Sequence, residues 1–172
     1  MIVVGIDPGR KGAVVGIGPE GPIIVRRANG PQGYRQESTP DPAAMQRALV
    51  SVRGALSGVP DLVLVEAPAW HARGGARMAA GSAGRSGMEH GAWRGLLTAM
   101  GWPYFVIRAQ EWRKAAGITV PRGSDPKQAT IRVVRALLPT LELVPAGCRV
   151  PHDGIADAAG LALAALGGKV RR

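Results

Sequence analysis

The sequence predicts an α/β fold in which a mixed five-stranded sheet carries helices on both faces. Three observations lead there. Ile2 to Asp7 and Asp61 to Ala67 are short runs, apolar nearly throughout, as strands covered on both faces are. The chain begins with hairpin-like strands and then alternates helix and strand, the pattern of α/β crossovers. Its 172 residues, 46% hydrophobic, suffice for one ordinary domain with a buried core.

Ile2 to Asp7 reads as a buried strand because it is β-branched and stops at the Pro8-Gly9 turn. Gly12 to Gly18 is its hairpin partner and Pro22 to Arg27 a third strand, followed by a polar connection from Gly30 to Pro42. Met45, Ala48, Leu49, Val52 and Leu56 then recur at helical spacing, until Ser57-Gly58-Val59-Pro60 ends the helix. After the strand Asp61 to Ala67, the stretch at about 68–87 turns to Gly, Ala, Ser, Arg and Met without a period, and is expected to be a flexible segment. A helix from about Met88 to Met100 and the strand Tyr104 to Ile107 follow. Further helices are expected at Gln110 to Ala116, Pro126 to Leu138 and Asp153 to Leu166, with a frayed basic tail at about 167–172. No repeat or linker divides the chain, which reads as a single domain over 1–172.

Composition excludes several classes. No apolar run approaches the roughly 20 residues that span a bilayer. The start, MIVVGID, has neither basic leader nor cleavage site, so a cytoplasmic protein is expected. One cysteine, Cys148, rules out an internal disulfide framework or a cysteine-built zinc module. The formal net charge is +10, mostly from arginine, with a pI of about 11.2. That balance suits a polyanion, since each neutralised phosphate releases counterions.

Most acidic residues, among them Glu20, Glu37, Asp41, Glu89 and Asp125, fall where turns or helix starts account for them. Four do not. Asp7 and Glu66 end the two apolar strands; if those strands are neighbours, both carboxylates emerge at one sheet edge. Asp153 and Asp157 are spaced i, i+4 on a helix otherwise apolar nearly all round, so they share a face. Carboxylates embedded in apolar sequence must be neutralised, paired or bound to a cation. An all-oxygen set of this kind suits magnesium, and two such ions can promote in-line attack on a phosphodiester.

At this point the residues resemble a known family. Gly5-Ile6-Asp7-Pro8-Gly9 with Gly12-Ala13 looks like the first motif of RuvC-type Holliday junction resolvases, and Val65-Glu66 like the second. His90 to Leu96, Trp102-Pro103-Tyr104, Glu111 to Lys114 and Lys127-Gln128 with Ala136 to Pro139 resemble the middle of phage and bacterial members. His152-Asp153-Gly154-Ile155-Ala156-Asp157-Ala158 looks like the last motif. The resemblance runs from Met1 to about Leu166, and the order and spacing of the motifs carry it. It implies a ribonuclease H-like fold and a homodimer in a bacterial or phage-infected cell. It also implies two Mg2+ ions, replaceable by Mn2+, and paired symmetric nicks across four-way DNA junctions that leave 5′-phosphates. By that similarity Asp7 would bridge the metals, with Glu66 and Asp157 as further ligands. The fourth position falls to Asp153, whose helical phase matches Asp157, or to His152 as ligand or general base; Gly154, the family's common position, cannot serve.

Trp70, His71 and Arg73 follow Glu66 closely, and in resembling proteins an aromatic residue here wedges into the opened junction. Arg73, Arg77 and Arg85, spaced with glycines, could track phosphates; Arg113, Lys114 and Lys127 are the other phosphate candidates. Trp93 and Trp112 read as core or dimer contacts. Two other readings stay open: a broader branched-DNA or flap endonuclease, and a basic module that holds junctions without cutting them. A sugar-kinase-like ATPase shares the fold and an Asp-Gly turn, but this length leaves no room for its second domain.

Overall fold

The structure, a computed structural model, describes residues 1–9, 12–27, 40–68, 80–145 and 147–168. Among these, five strands form one sheet: β1 (Val3–Asp7), β2 (Ala13–Gly18), β3 (Gly21–Arg27), β4 (Leu62–Glu66) and β5 (Tyr104–Ile107). Their spatial order is β3-β2-β1-β4-β5. The first three pair antiparallel, while β1–β4 and β4–β5 are parallel, so the sheet is mixed as expected. The helices are α1 (Pro42–Leu56), α2 (Ala80–Ala99), α3 (Ala109–Ala115), α4 (Pro126–Leu137) and α5 (Asp153–Leu166).

Alternation along the strands divides the core by face. Val4, Ile6, Val14, Val63 and Val65 pack with α1 and α2, where Met45, Leu49, Val52, Trp93 and Leu97 are buried, and with Trp102 just beyond α2. Val3, Ala13, Val15, Ile17 and Leu64 pack on the other face with α5, which α3 and α4 cover in turn. Asp41 caps α1 by accepting from the Ala44 N–H at 3.0 Å, and Ser57 ends it in a left-handed conformation, φ 54°. Asp125 caps α4 in the same way as Asp41 caps α1, through the Lys127 N–H.

Two expectations need correction. Helix α2 begins at Ala80, not near Met88, so residues 80–87 of the segment expected to be flexible are helical. That half of the helix offers no apolar stripe to read, because Gly81, Gly84 and Gly87 face open space and their neighbours are mostly exposed. Glu89 is not a helix-start residue. It lies in the middle of α2 and is buried, as is His90 beside it. Residues 69–79 and the tail at 169–172 lie outside the described residues, while Gly167 caps α5. No helix among the described residues is long and apolar enough to cross a membrane.

Candidate active site at the carboxylate edge

Strand periodicity aims the two strand-end acids. Val3, Gly5 and Asp7 alternate onto the α5 face of β1, and Leu62, Leu64 and Glu66 do so on β4. Because β1 and β4 are parallel and in register, Ile6 opposite Val65, Asp7 and Glu66 finish side by side at one edge. The Pro8-Gly9 turn directs the chain away, and the Gly9 N–H donates to Asp7 Oδ1 at 3.0 Å.

Gly5 brings the third element in. A Cβ there would lie 2.0 Å from the Ala158 carbonyl oxygen and 2.6 Å from the Ala162 nitrogen, so α5 rests directly on the β1 backbone. This approach places Asp157 and Asp153 beside the strand ends, and the negative charge of Glu66, Asp157 and Asp153 acts on Asp7. His152 is the N-cap of α5; its Nδ1 accepts from the Ile155 N–H at 3.3 Å. A neutral imidazole so engaged carries its proton on Nε2.

Helices α3 and α4 supply the counter-groups. Since β5 is parallel to β4, its C-terminal end lies at the same edge, and α3 starts there with the Arg108 N–H donating to the Glu111 carboxylate at 3.1 Å. Trp112, fully buried, donates from Nε1 to Glu66 Oε2 at 2.8 Å. The next residue, Arg113, donates to Asp157 Oδ1 and to Thr130 Oγ1, each at 3.4 Å, and its guanidinium lies 4.6 Å from the Trp112 ring centroid. Lys127, in the first turn of α4, pairs with Asp153. Gly160 makes room for the indole, since a Cβ there would meet the Trp112 ring at 2.5 Å.

Ionisation follows from this crowding. Removal from water is the largest influence on Asp7, and the neighbouring Glu66 adds to it; together they push its carboxyl up to about 8 against the Gly9 N–H. Glu66 is raised by burial and by Asp157, opposed by Trp112, Arg113 and Lys127. Asp157 is raised by burial despite Arg113. Asp153 goes the other way: desolvation is its largest single influence, but the opposing influences, led by the Lys127 hydrogen bond and charge, together exceed it.

The donor chemistry fits a hard divalent cation. The groups are carboxylate oxygens, they repel one another, and among the described residues the charges acting on Asp7 are those of Glu66, Asp157 and Asp153. Among the described residues, however, no three acidic, histidine or cysteine side chains are preassembled as a coordination shell. Arg113 and Lys127, expected as phosphate contacts, pair with Asp157 and Asp153. Lys114 on α3, Arg85 on α2 and Cys148 are exposed. Trp70, His71, Arg73 and Arg77 lie outside the described residues. The residue that sequence reasoning missed is Trp112. It is core, as one of the two expected alternatives had it, but it also touches Glu66; the signal was Gly160, the glycine three residues past Asp157 in the middle of α5.

A mixed sheet whose adjacent parallel strands deliver two carboxylates beneath an acidic helix is ribonuclease H-like. Within that class the chain has the fold of the RuvC-type Holliday junction resolvases. It is similar to Thermus thermophilus RuvC in complex with Holliday junction substrate, with TM-score 0.63 and 18% identity over 97% of this chain and 93% of that one. A second Thermus thermophilus RuvC structure gives TM-score 0.59 and 22% identity, covering 97% and 94%. The yeast mitochondrial Holliday junction resolvase gives 0.57 and 16%, covering 96% and 77%. No family model matches the chain, and no curated protein matches it in sequence.

Proposed function

We propose that the chain is a magnesium-dependent endonuclease that resolves four-way DNA junctions, acting as a homodimer whose two sites make paired symmetric nicks. The observation that carries this reading is the convergence of Asp7, Glu66 and Asp157 on one sheet edge, desolvated and mutually repelling. The basic charge of the chain and the junction substrate bound by one fold neighbour support branched DNA as the partner.

Asp7, Glu66 and Asp157 would hold the metal, with Asp153 or His152 completing the set. Magnesium, when bound, supplies an activated water and stabilises the departing oxygen in an in-line displacement. The water oxygen bonds to phosphorus, the bond to the 3′-oxygen breaks, and that oxygen takes a proton, leaving a 5′-phosphate. The chain's own contribution is positioning. Trp112 fixes one oxygen of Glu66, and Gly5 fixes the distance of Asp157 from Asp7. Arg113 and Lys127 present cations at the edge, where a phosphate can take over their hydrogen bonds. While its Nδ1 caps α5, His152 can offer a proton from Nε2 but cannot accept one there.

The test is cleavage of a synthetic four-way junction with magnesium, beside a matched duplex and a three-way flap, with Asp7→Asn as control. Symmetric nicks on the junction, abolished in the variant, are expected. Equal cutting of flaps would reduce the function to a structure-selective nuclease. Binding without any cutting would leave a junction-holding module.

A further inference from the structure

Helix α4 presents two different faces. Ala129, Thr130, Ile131 and Val134 are buried towards the core, while Gln128, Arg132, Arg135 and Ala136 are exposed. The sequence PKQATIRVVRAL contains three basic residues and no acidic one, so no intrahelical pair can neutralise the arginines. Gln128, Ile131, Arg132, Arg135 and Ala136 line an open groove of about 540 Å³. Neither arginine has an ion-pair or hydrogen-bond partner among the described residues. Charges on a helix usually find an i, i+3 or i, i+4 partner of opposite sign or stand apart; here two like charges stand at i, i+3 over a concavity.

We propose that this groove is a second phosphate-binding site, which takes the sugar–phosphate backbone of the nucleic-acid arm leaving the carboxylate edge. This rests on the nuclease reading and extends it to a substrate contact outside the reacting centre. Continuity along α4 supports it. Lys127, paired with Asp153, is the site residue at the start of the helix, and Gln128 beside it opens the groove. From Lys127 to Arg135 the helix advances about 12 Å. One strand of duplex presents a phosphate every ~3.4 Å along its axis, so that length spans roughly three phosphates. Guanidinium groups grip such oxygens in bidentate fashion, and two of them in one row match a chain of phosphates better than a single free anion.

The experiment measures binding of a labelled four-way junction by the intact protein in EDTA, which prevents cutting, across a series of salt concentrations. Wild type is compared with Arg132→Gln/Arg135→Gln, and with Arg47→Gln/Arg53→Gln on α1, which removes equal charge from exposed positions on the opposite side of the sheet. At about 0.9 per phosphate released, the α4 variant should flatten the log–log salt slope by about 1.8. Its affinity at ~0.1 M salt should fall on the order of ten-fold or more, while its magnesium isotherm and melting curve match wild type. The α1 variant should keep the wild-type slope. An unchanged slope in the α4 variant overturns the groove, and an equal change in both variants shows diffuse charge only and overturns it too. Competition by inorganic phosphate at the affinity of the DNA would make the site one for a free anion and overturn the backbone assignment. Wild type that ignores branched DNA altogether would sink the nuclease reading itself, whereas junction binding with an unaltered α4 variant sinks only the groove.

Discussion

Asp153 and Asp157 stand one turn apart on α5, each beside a basic side chain, yet the protein shifts their ionisation in opposite directions. Asp157 is 13% exposed and its partner Arg113 15%; loss of water prevails and the carboxyl is pushed up. Asp153 is 33% exposed and Lys127 46%; here the ammonium and the Gly154 N–H outweigh desolvation and the carboxyl is pushed down. The same charge pattern therefore makes an inner carboxylate that lacks full compensation and an outer one that is satisfied. A further cation would therefore favour ionisation of the inner carboxyl, whose charged form is disfavoured, more than that of the outer one.

The largest expected effect separates the two directly. Asp157→Asn should slow single-turnover junction cleavage by at least about a thousand-fold, and Asp153→Asn by about ten-fold, because only the former removes an uncompensated carboxylate. Equal losses would erase the distinction between inner and outer positions.

Next comes pH. The folded chain keeps Asp7 protonated up to about 8, whereas the unfolded chain releases that proton near 3.8. Between those values the fold binds more protons than the unfolded chain, so its stability in chelator should fall as pH rises through that window. Urea titrations from pH 5 to 8 should show a loss on the order of 2 kcal/mol that Asp7→Asn reduces, the remainder belonging to Glu66 and Asp157. A stability that climbs with pH in wild type, and equally in the variant, would show Asp7 ionised in the fold.

The basic partners give a smaller contrast. Arg113→Ala should cost roughly 2 kcal/mol, short of a fully buried pair because Asp157 can take up a proton. Lys127→Ala should cost under about 1 kcal/mol, as exposed pairs do. Chemical denaturation of both variants checks this; a costlier Lys127 change would invert the comparison. A comparably small effect belongs to Trp112→Phe, which keeps a ring against Gly160 but withdraws the donor from Glu66. Loss of one such bond corresponds to about five-fold weaker magnesium binding by calorimetry. An unaltered isotherm with a lowered melting point would reduce Trp112 to packing.

The strands and their terminal acids were legible because apolar runs broken by a lone carboxylate have few folded interpretations. The register that sets Asp7 beside Glu66 required only that the two runs be neighbours. Helix α5 was legible to the residue, since its apolar wall makes the i, i+4 acids stand out. The start of α2 was not, because residues 81–88, none of them buried, leave no periodic trace. Glu89 was misplaced for the same reason: its burial depends on where that unpatterned helix begins. The pairing of Arg113 and Lys127 with the acids was equally hidden. Their spacing in sequence from Asp157 and Asp153, 44 and 26 residues, carries no local signal, so charge alone pointed them outward to DNA.

The absent side chain at residue 5 has a wider consequence. Strand and helix touch there backbone to backbone, with no rotamer between them to flex. The span from Asp7 to Asp157 is thus gauged by main-chain contact, two residues along the strand from one acid and one residue along the helix from the other. A single methyl group at this spot, buried and uncharged, would pry the jaws of the site apart while leaving every acidic residue in place.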